Sequence, residues 1–222
     1  MLATKAKFGM KENVEYVLKD ADGNVKKLFQ PNRLYGWLMK KGIASPSLKF
    51  PLFGKLVDKM VISNLITTAG VAGIAARING SGSPAAYTYI ALGTGSTAAA
   101  DANTQLENEI TTSGGARASA SVSVVTTDTA GDTAQLQNTF SFTTGGTFAI
   151  TESGVLNAAS AGTLLARQVF SAINVVSGDS LQVTYKFLGH LLAIVKSKIN
   201  KFGEALKNFF EIIPSQALLG TV

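Results

Sequence analysis

The chain has no cysteine, one histidine (His190) and one tryptophan (Trp37) in 222 residues. The missing thiols exclude disulfides, thiolate metal sites and cysteine nucleophiles, and a lone histidine excludes any multi-histidine metal centre. Charge is also scarce: charged side chains make up 15% of the sequence, against about 25% in ordinary soluble domains. No lysine occurs between Lys59 and Lys186. Long apolar runs are absent as well. The stretch from Met60 to Ile78 comes closest but contains Asn64, two glycines and Arg77, so no membrane-spanning helix of roughly 18 apolar residues is expected. Met1 to Gly9 carries Lys5 and Lys7 without an apolar core, and a classical secretory signal is not expected. These absences predict a soluble protein.

What is present is a chain that is 46% apolar, long enough for one large or two small domains. Its charges are segregated. Residues 1–77 carry a net +8, residues 78–185 a net −5 and residues 186–222 a net +3. An acidic centre with basic ends argues against direct nucleic-acid binding along the whole surface, and for basic ends that meet an acidic partner.

Val14, Tyr16 and Leu18 alternate with polar residues, and Val25 to Phe29 resume the apolar pattern after Asp20–Asn24. This predicts a hairpin with Asp22-Gly23 as its positive-φ turn. Asp20, Asp22 and Asn24 imitate a calcium loop, but glycine falls at the fourth position and Pro31 stands where a bidentate Glu is required, which favours a plain turn. The spacing of Leu34, Trp37 and Leu38 predicts a short helix over 32–41, ended by Gly42, with Trp37 as a core anchor. The small residues around Gly70 and Gly73 predict a helix or turn lying close against a sheet.

Beyond the Gly80–Pro84 loop the period changes to two. Strands are expected at Tyr87–Leu92, Ala118–Val124, Leu136–Phe142, Phe148–Val155, Leu164–Phe170 and Leu181–Phe187. One apolar and one hydroxyl-rich face, with Gly-rich turns between, predicts a mainly β fold: an antiparallel β-sandwich, with a jelly-roll connection compatible. The expected organisation is a basic docking segment of hairpin and short helices over 1–79, a sandwich over 80–187 and a heptad-patterned amphipathic helix over 188–222.

In that last segment Leu188, Leu192, Val195, Ile199, Phe202, Leu206, Phe209 and Ile213 are spaced alternately by four and three residues. As one helix this seam is about 39 Å long. An apolar stripe of that length must be covered. Homo-oligomerisation, a groove on another protein and the chain's own N-terminal segment all offer cover. A membrane-surface helix fits less well because Glu204 and Glu211 flank the stripe.

Nothing catalytic stands out. A Ser-His-Asp triad would need His190, placed at the end of the last strand. Glu107 and Glu109 read as solvent-facing acids, and Glu152, in an apolar strand, as the partner of Arg167. Gly93-Thr94-Gly95 starts like a phosphate loop but lacks the Lys-Ser/Thr ending, so it reads as a turn. No catalytic, cofactor-binding or metal-ligating residue is assigned, and no cofactor is expected.

Several blocks in order do carry a resemblance. They are Asn64–Gly70, Tyr89–Ala98, Leu106–Ile110, Ile150–Ala158, Leu165–Phe170 and Ser177–Tyr185. Together, over roughly residues 14–187, the pattern resembles tailed-bacteriophage virion structural proteins of the tail, fibre or head-decoration type. The resemblance implies a non-enzymatic component of the particle, assembled in the host cytoplasm, with other copies of itself and major capsid or tail proteins as partners. It carries no catalytic residues to transfer, and it does not include the segment after Leu188. Two other readings stay open: a receptor- or glycan-binding fibre head using Tyr87, Tyr89 or Trp37 for stacking, and a polysaccharide-cleaving enzyme using Glu107, Glu109 or Glu152.

Overall fold

The structure, a computed structural model, describes residues 7–82 and 84–192. The chain divides into a body, residues 12–188, and a second unit of residues 1–11 and 189–222. Of the second unit only strand backbone is described, at 7–11 and 189–192. In chain order the elements are β1 (Lys7–Lys19), β2 (Val25–Lys26), β3 (Leu28–Pro31), α1 (Arg33–Lys40), β4 (Gly54–Val57), β5 (Met60–Ile62), β6 (Leu65–Ile66) and α2 (Thr68–Asn79). There follow β7 (Tyr89–Gly93), β8 (Ala118–Ser119), β9 (Ser121–Val125), β10 (Thr133–Ser141), β11 (Phe148–Leu156), β12 (Leu164–Val175) and β13 (Ser180–Leu192).

The expected mainly β, antiparallel architecture is what these elements form. One sheet runs β2-β1-β13-β10-β9, with β5 also paired to β1, and a second runs β6-β12-β11-β7-β8. The period-two pattern explains the first sheet: Leu181, Val183, Tyr185 and Phe187 of β13 and Leu136 and Phe140 of β10 are buried, their partners in register being Leu136 with Tyr185 and Phe140 with Leu181. Residues of the first sheet touch the second directly. The Tyr16 ring lies 4.4 Å from that of Phe170, and the Ser153 hydroxyl sits 2.6 Å from the Tyr16 hydroxyl and 2.5 Å from that of Tyr185. Burial pushes both phenols above their ordinary range, that of Tyr16 well above it.

Strand β12 reads as an almost unbroken buried run because α1, α2 and β3 all pack against it. Helix α2 is capped by Thr67, whose hydroxyl accepts from Gly70 N at 2.9 Å and donates to the Leu164 carbonyl at 2.6 Å. Gly70 rests on the Leu165 backbone so closely that a Cβ there would overlap the Leu165 carbonyl, the close approach that its small neighbours predict.

Residues 12–79, most of the stretch expected as a basic docking segment, lie in the same compact body as 80–188: β1 supplies buried Val14, Tyr16 and Leu18, and β6 pairs with β12. Two expectations change. Trp37 is not a core anchor. In α1 the inward positions are Tyr35 and Met39, spaced i and i+4, and Trp37 lies about 200° round from Tyr35. Residues 188–192 continue β13 as strand, since a spacing of four satisfies period two as well as 3.6. The rest of the seam, Val195 to Ile213, lies outside the described residues.

Candidate functional site

The most elaborate polar arrangement surrounds Glu152 of β11, which is fully buried beside Arg167 of β12, itself 2% exposed. The guanidinium Nε donates to Glu152 Oε2 at 2.8 Å. Three backbone N–H groups also converge on this carboxylate: Gly95 at 3.1 Å and Asn108 at 2.7 Å on Oε1, and Glu107 at 3.0 Å on Oε2. Arg167 reaches on to Asn103 Oδ1 at 3.0 Å. Gly93 and Gly95 lack side chains because a Cβ at either would collide with Glu152. The Gly93-Thr94-Gly95 turn therefore does present an amide, that of Gly95, to an anion, but the anion is the protein's own carboxylate. The expected Glu152–Arg167 pair is present, and it fastens the 94–108 loop onto the second sheet.

Glu107 and Glu109 border a polar cavity of about 520 Å³ with Thr104, Asn108 and Arg117. Both are engaged. The Glu107 carboxylate accepts from the Thr97 amide at 2.8 Å and the Thr97 hydroxyl at 2.7 Å, bonds that hold its pKa below the ordinary carboxylate range. It is thus ionised at neutral pH, which does not suit a general acid. Glu109 is gripped by both arms of Arg117 at 2.8 and 2.6 Å, and the same guanidinium donates to the Ala158 and Ala161 carbonyls. Glu152 is sealed from solvent. Among the described residues no group of three or more histidine or acidic side chains could hold a metal ion. The Asp20 carboxylate accepts from the amides of Asp22 and Asn24 at 3.0 and 2.8 Å, closing the expected plain turn. His190 lies within β13.

Of the proposed stacking aromatics, Tyr89 packs against Ala91, Leu106, Leu156 and Leu164, and Tyr87 lies against Gly73. Trp37 alone presents its ring, at 52% exposed. It lines a groove of about 290 Å³ with Lys40, Lys41, Asn64 and Gln168. Asn64 is buried, and neither of its amide atoms has a hydrogen-bond partner, a condition that costs about 1–3 kcal/mol per group. Sequence reasoning missed Asn64 because an asparagine just ahead of a short strand looks like any loop residue.

A second surface feature is the end of the first sheet. β9 is its last strand and pairs only with β10, placing Val122 opposite Leu136 and Val124 opposite Ala134. Partners in register share a face, so both valines extend the face that buries Leu136, yet they are 56% and 71% exposed. The strand SVSVV has no charge or proline, the usual protection of a free edge. Among the described residues no helix is long and apolar enough to cross a membrane.

The family model of podophage GP4 fiber I protein gp80 matches residues 73–189, just over half of the chain. The matched stretch takes in β7 to β12 and most of β13, with the Glu152 hub and β9. No curated protein and no solved structure matches the chain.

Proposed function

The chain belongs to the podophage GP4 fiber I protein gp80 family, a family of virion structural proteins, and from that premise we propose that it is a non-enzymatic, self-associating fibre subunit. Its two sheets form an antiparallel β-sandwich whose uncovered end is completed by a second copy. The observation that carries this reading is the exposed core face of β9. Two copies pairing their β9 strands antiparallel about Ser123 would set Val122 of each against Val124 of the other and satisfy the open backbone groups of both. Each valine covered contributes about 1–2 kcal/mol, so strand pairing alone gives a modest contact. The heptad seam continuing to Ile213 is a second element of association, supported by its spacing.

Docking on the particle, as capsid decoration or as a tail component, falls to the basic N-terminal part, where Leu48, Phe50, Leu52 and Leu56 are exposed among Lys49 and Lys55. Sedimentation equilibrium of the full chain tests self-association. A mass that rises with concentration, and falls back to the monomer in a Val122→Lys/Val124→Lys variant, is the expected result; a monomer at every concentration counts against it. Truncation after Leu192 should weaken the association further. A reconstruction of the particle separates the two docking sites: density at every capsomer junction supports decoration, and density at one vertex supports the tail.

A further inference from the structure

Asn79 is the only one of the chain's asparagines that is followed by glycine. It closes α2, and residues 79–82 are all exposed. Gly80 turns into the left-handed region, with φ +72°, and a Cβ there would meet open space. The Asn79 side chain folds back on this turn. Its Oδ1 accepts from the Ser81 amide at 2.9 Å, closing a ring of atoms that includes the Gly80 nitrogen.

We propose that Asn79 is a site of spontaneous deamidation, with the Gly80 nitrogen of the same chain as the nucleophile. That nitrogen attacks the Asn79 Cγ. A bond forms between them, the Cγ–Nδ2 bond breaks, and ammonia leaves with the Gly80 amide proton. The product is a five-membered succinimide. Water then opens the ring, either at the new Cγ–N bond, which leaves aspartate, or at the original main-chain bond, which leaves isoaspartate with the backbone running through Cγ. Over both steps one water is consumed and one ammonia is released. Three features of the site favour the attack. Glycine leaves its nitrogen unshielded and permits the backbone rotation that the ring requires. The last turn of a helix frays, so Asn79 reaches non-helical angles without unfolding the body. The Ser81 amide already donates to the oxygen on which negative charge develops. Asn108 and Asn157, by contrast, precede Glu109 and Ala158, and their side chains are held by Thr94 and by the Thr163 amide. The reaction sets a carboxylate at the C-terminal end of α2, where the helix dipole is already negative, beside Ile78 at 80% exposed. It needs no enzyme and no second copy, so it stands or falls apart from the fibre reading.

The experiment keeps the full chain in mildly alkaline buffer, where the Gly80 nitrogen gives up its proton more readily, and samples it over time by peptide mass mapping. Isoaspartate is scored by its enzymatic methylation. The peptide bearing Asn79 should gain the mass of an amide turned carboxyl at least about tenfold faster than any other asparagine peptide. The folded chain should react within about tenfold of its rate in urea, because the fold leaves the site open. Gly80→Ala should slow the conversion at least about tenfold. Asn79→Gln keeps an amide but needs a six-membered ring, and should stop both the conversion there and the drift of the chain to lower pI on isoelectric focusing. A folded rate more than about tenfold below that in urea, another asparagine that converts as fast, or an unchanged rate in Gly80→Ala overturns the proposal.

Discussion

Replacing Glu152 by glutamine removes the charge that the 94–108 loop is folded around while keeping the side-chain volume. In the parent the carboxylate accepts from three backbone amides and from Arg167. An amide in its place keeps one acceptor oxygen and turns an NH2 group toward donors, leaving Arg167 at 2% exposed without its buried counter-charge. Breaking a buried pair by changing one partner costs about 3–5 kcal/mol, a large share of the roughly 5–15 kcal/mol that holds a domain together. For a body of this size that corresponds to a fall in Tm of roughly 6–20 °C. Thermal unfolding followed by far-UV circular dichroism measures it. Glu107→Gln, which alters an exposed carboxylate, should cost about 1 kcal/mol or less. Adding Arg167→Met to Glu152→Gln should cost less than the two single changes together, because the second change removes a charge already stranded by the first. A loss below about 1 kcal/mol in Glu152→Gln would refute the view that this cluster holds the loop to the sheet.

Gly70→Ala should destabilise the body by about 1–3 kcal/mol, since the added methyl meets the Leu165 carbonyl and must push α2 off β12; denaturant unfolding checks it, and an unchanged midpoint would show that the helix shifts freely. Tyr16 and Tyr185 are held neutral by burial, their pKa raised. Their contribution to stability is therefore fully present below the unfolded value of about 10 and is lost as pH climbs past it. Absorbance at 295 nm should then count fewer than the chain's five tyrosines as tyrosinate near pH 11, about one unit above the free value, until the body unfolds, whereas full ionisation with no change in Tm would contradict the buried pair.

Much of the body was legible because its strands obey one rule. β10 and β13 alternate apolar and polar side chains so regularly that sequence alone places their core faces, and Asn32 and the run after it mark α1. The pairing of Glu152 with Arg167 was legible because an acid and a base in two apolar strands have few other ways to be buried. What escaped was decided by partners distant in sequence. The place of β1 in the first sheet follows from Tyr16, which meets Phe170 and Ser153 there, residues more than 130 positions away in the chain. Trp37 looked like a core residue by size, but the phase of α1, set by Tyr35 and Met39, turns it outward. The exposure of Val122 and Val124 could not be read at all, since their alternation is that of any buried strand and only the folded structure shows them uncovered.

The central claim is that β9 pairs with β9 of a second copy. Because the chain has no cysteine, Ser123→Cys places a single thiol at the middle of that strand. Facing residues of an antiparallel pair lie about 4.5–5.5 Å apart between Cα atoms, within reach of a disulfide. Under mild oxidation Ser123→Cys should form a covalent dimer at concentrations where Ser81→Cys, on the exposed turn after α2, stays monomeric. If the Ser123→Cys chain remains monomeric, or crosslinks no faster than the Ser81→Cys chain, the self-pairing account is wrong.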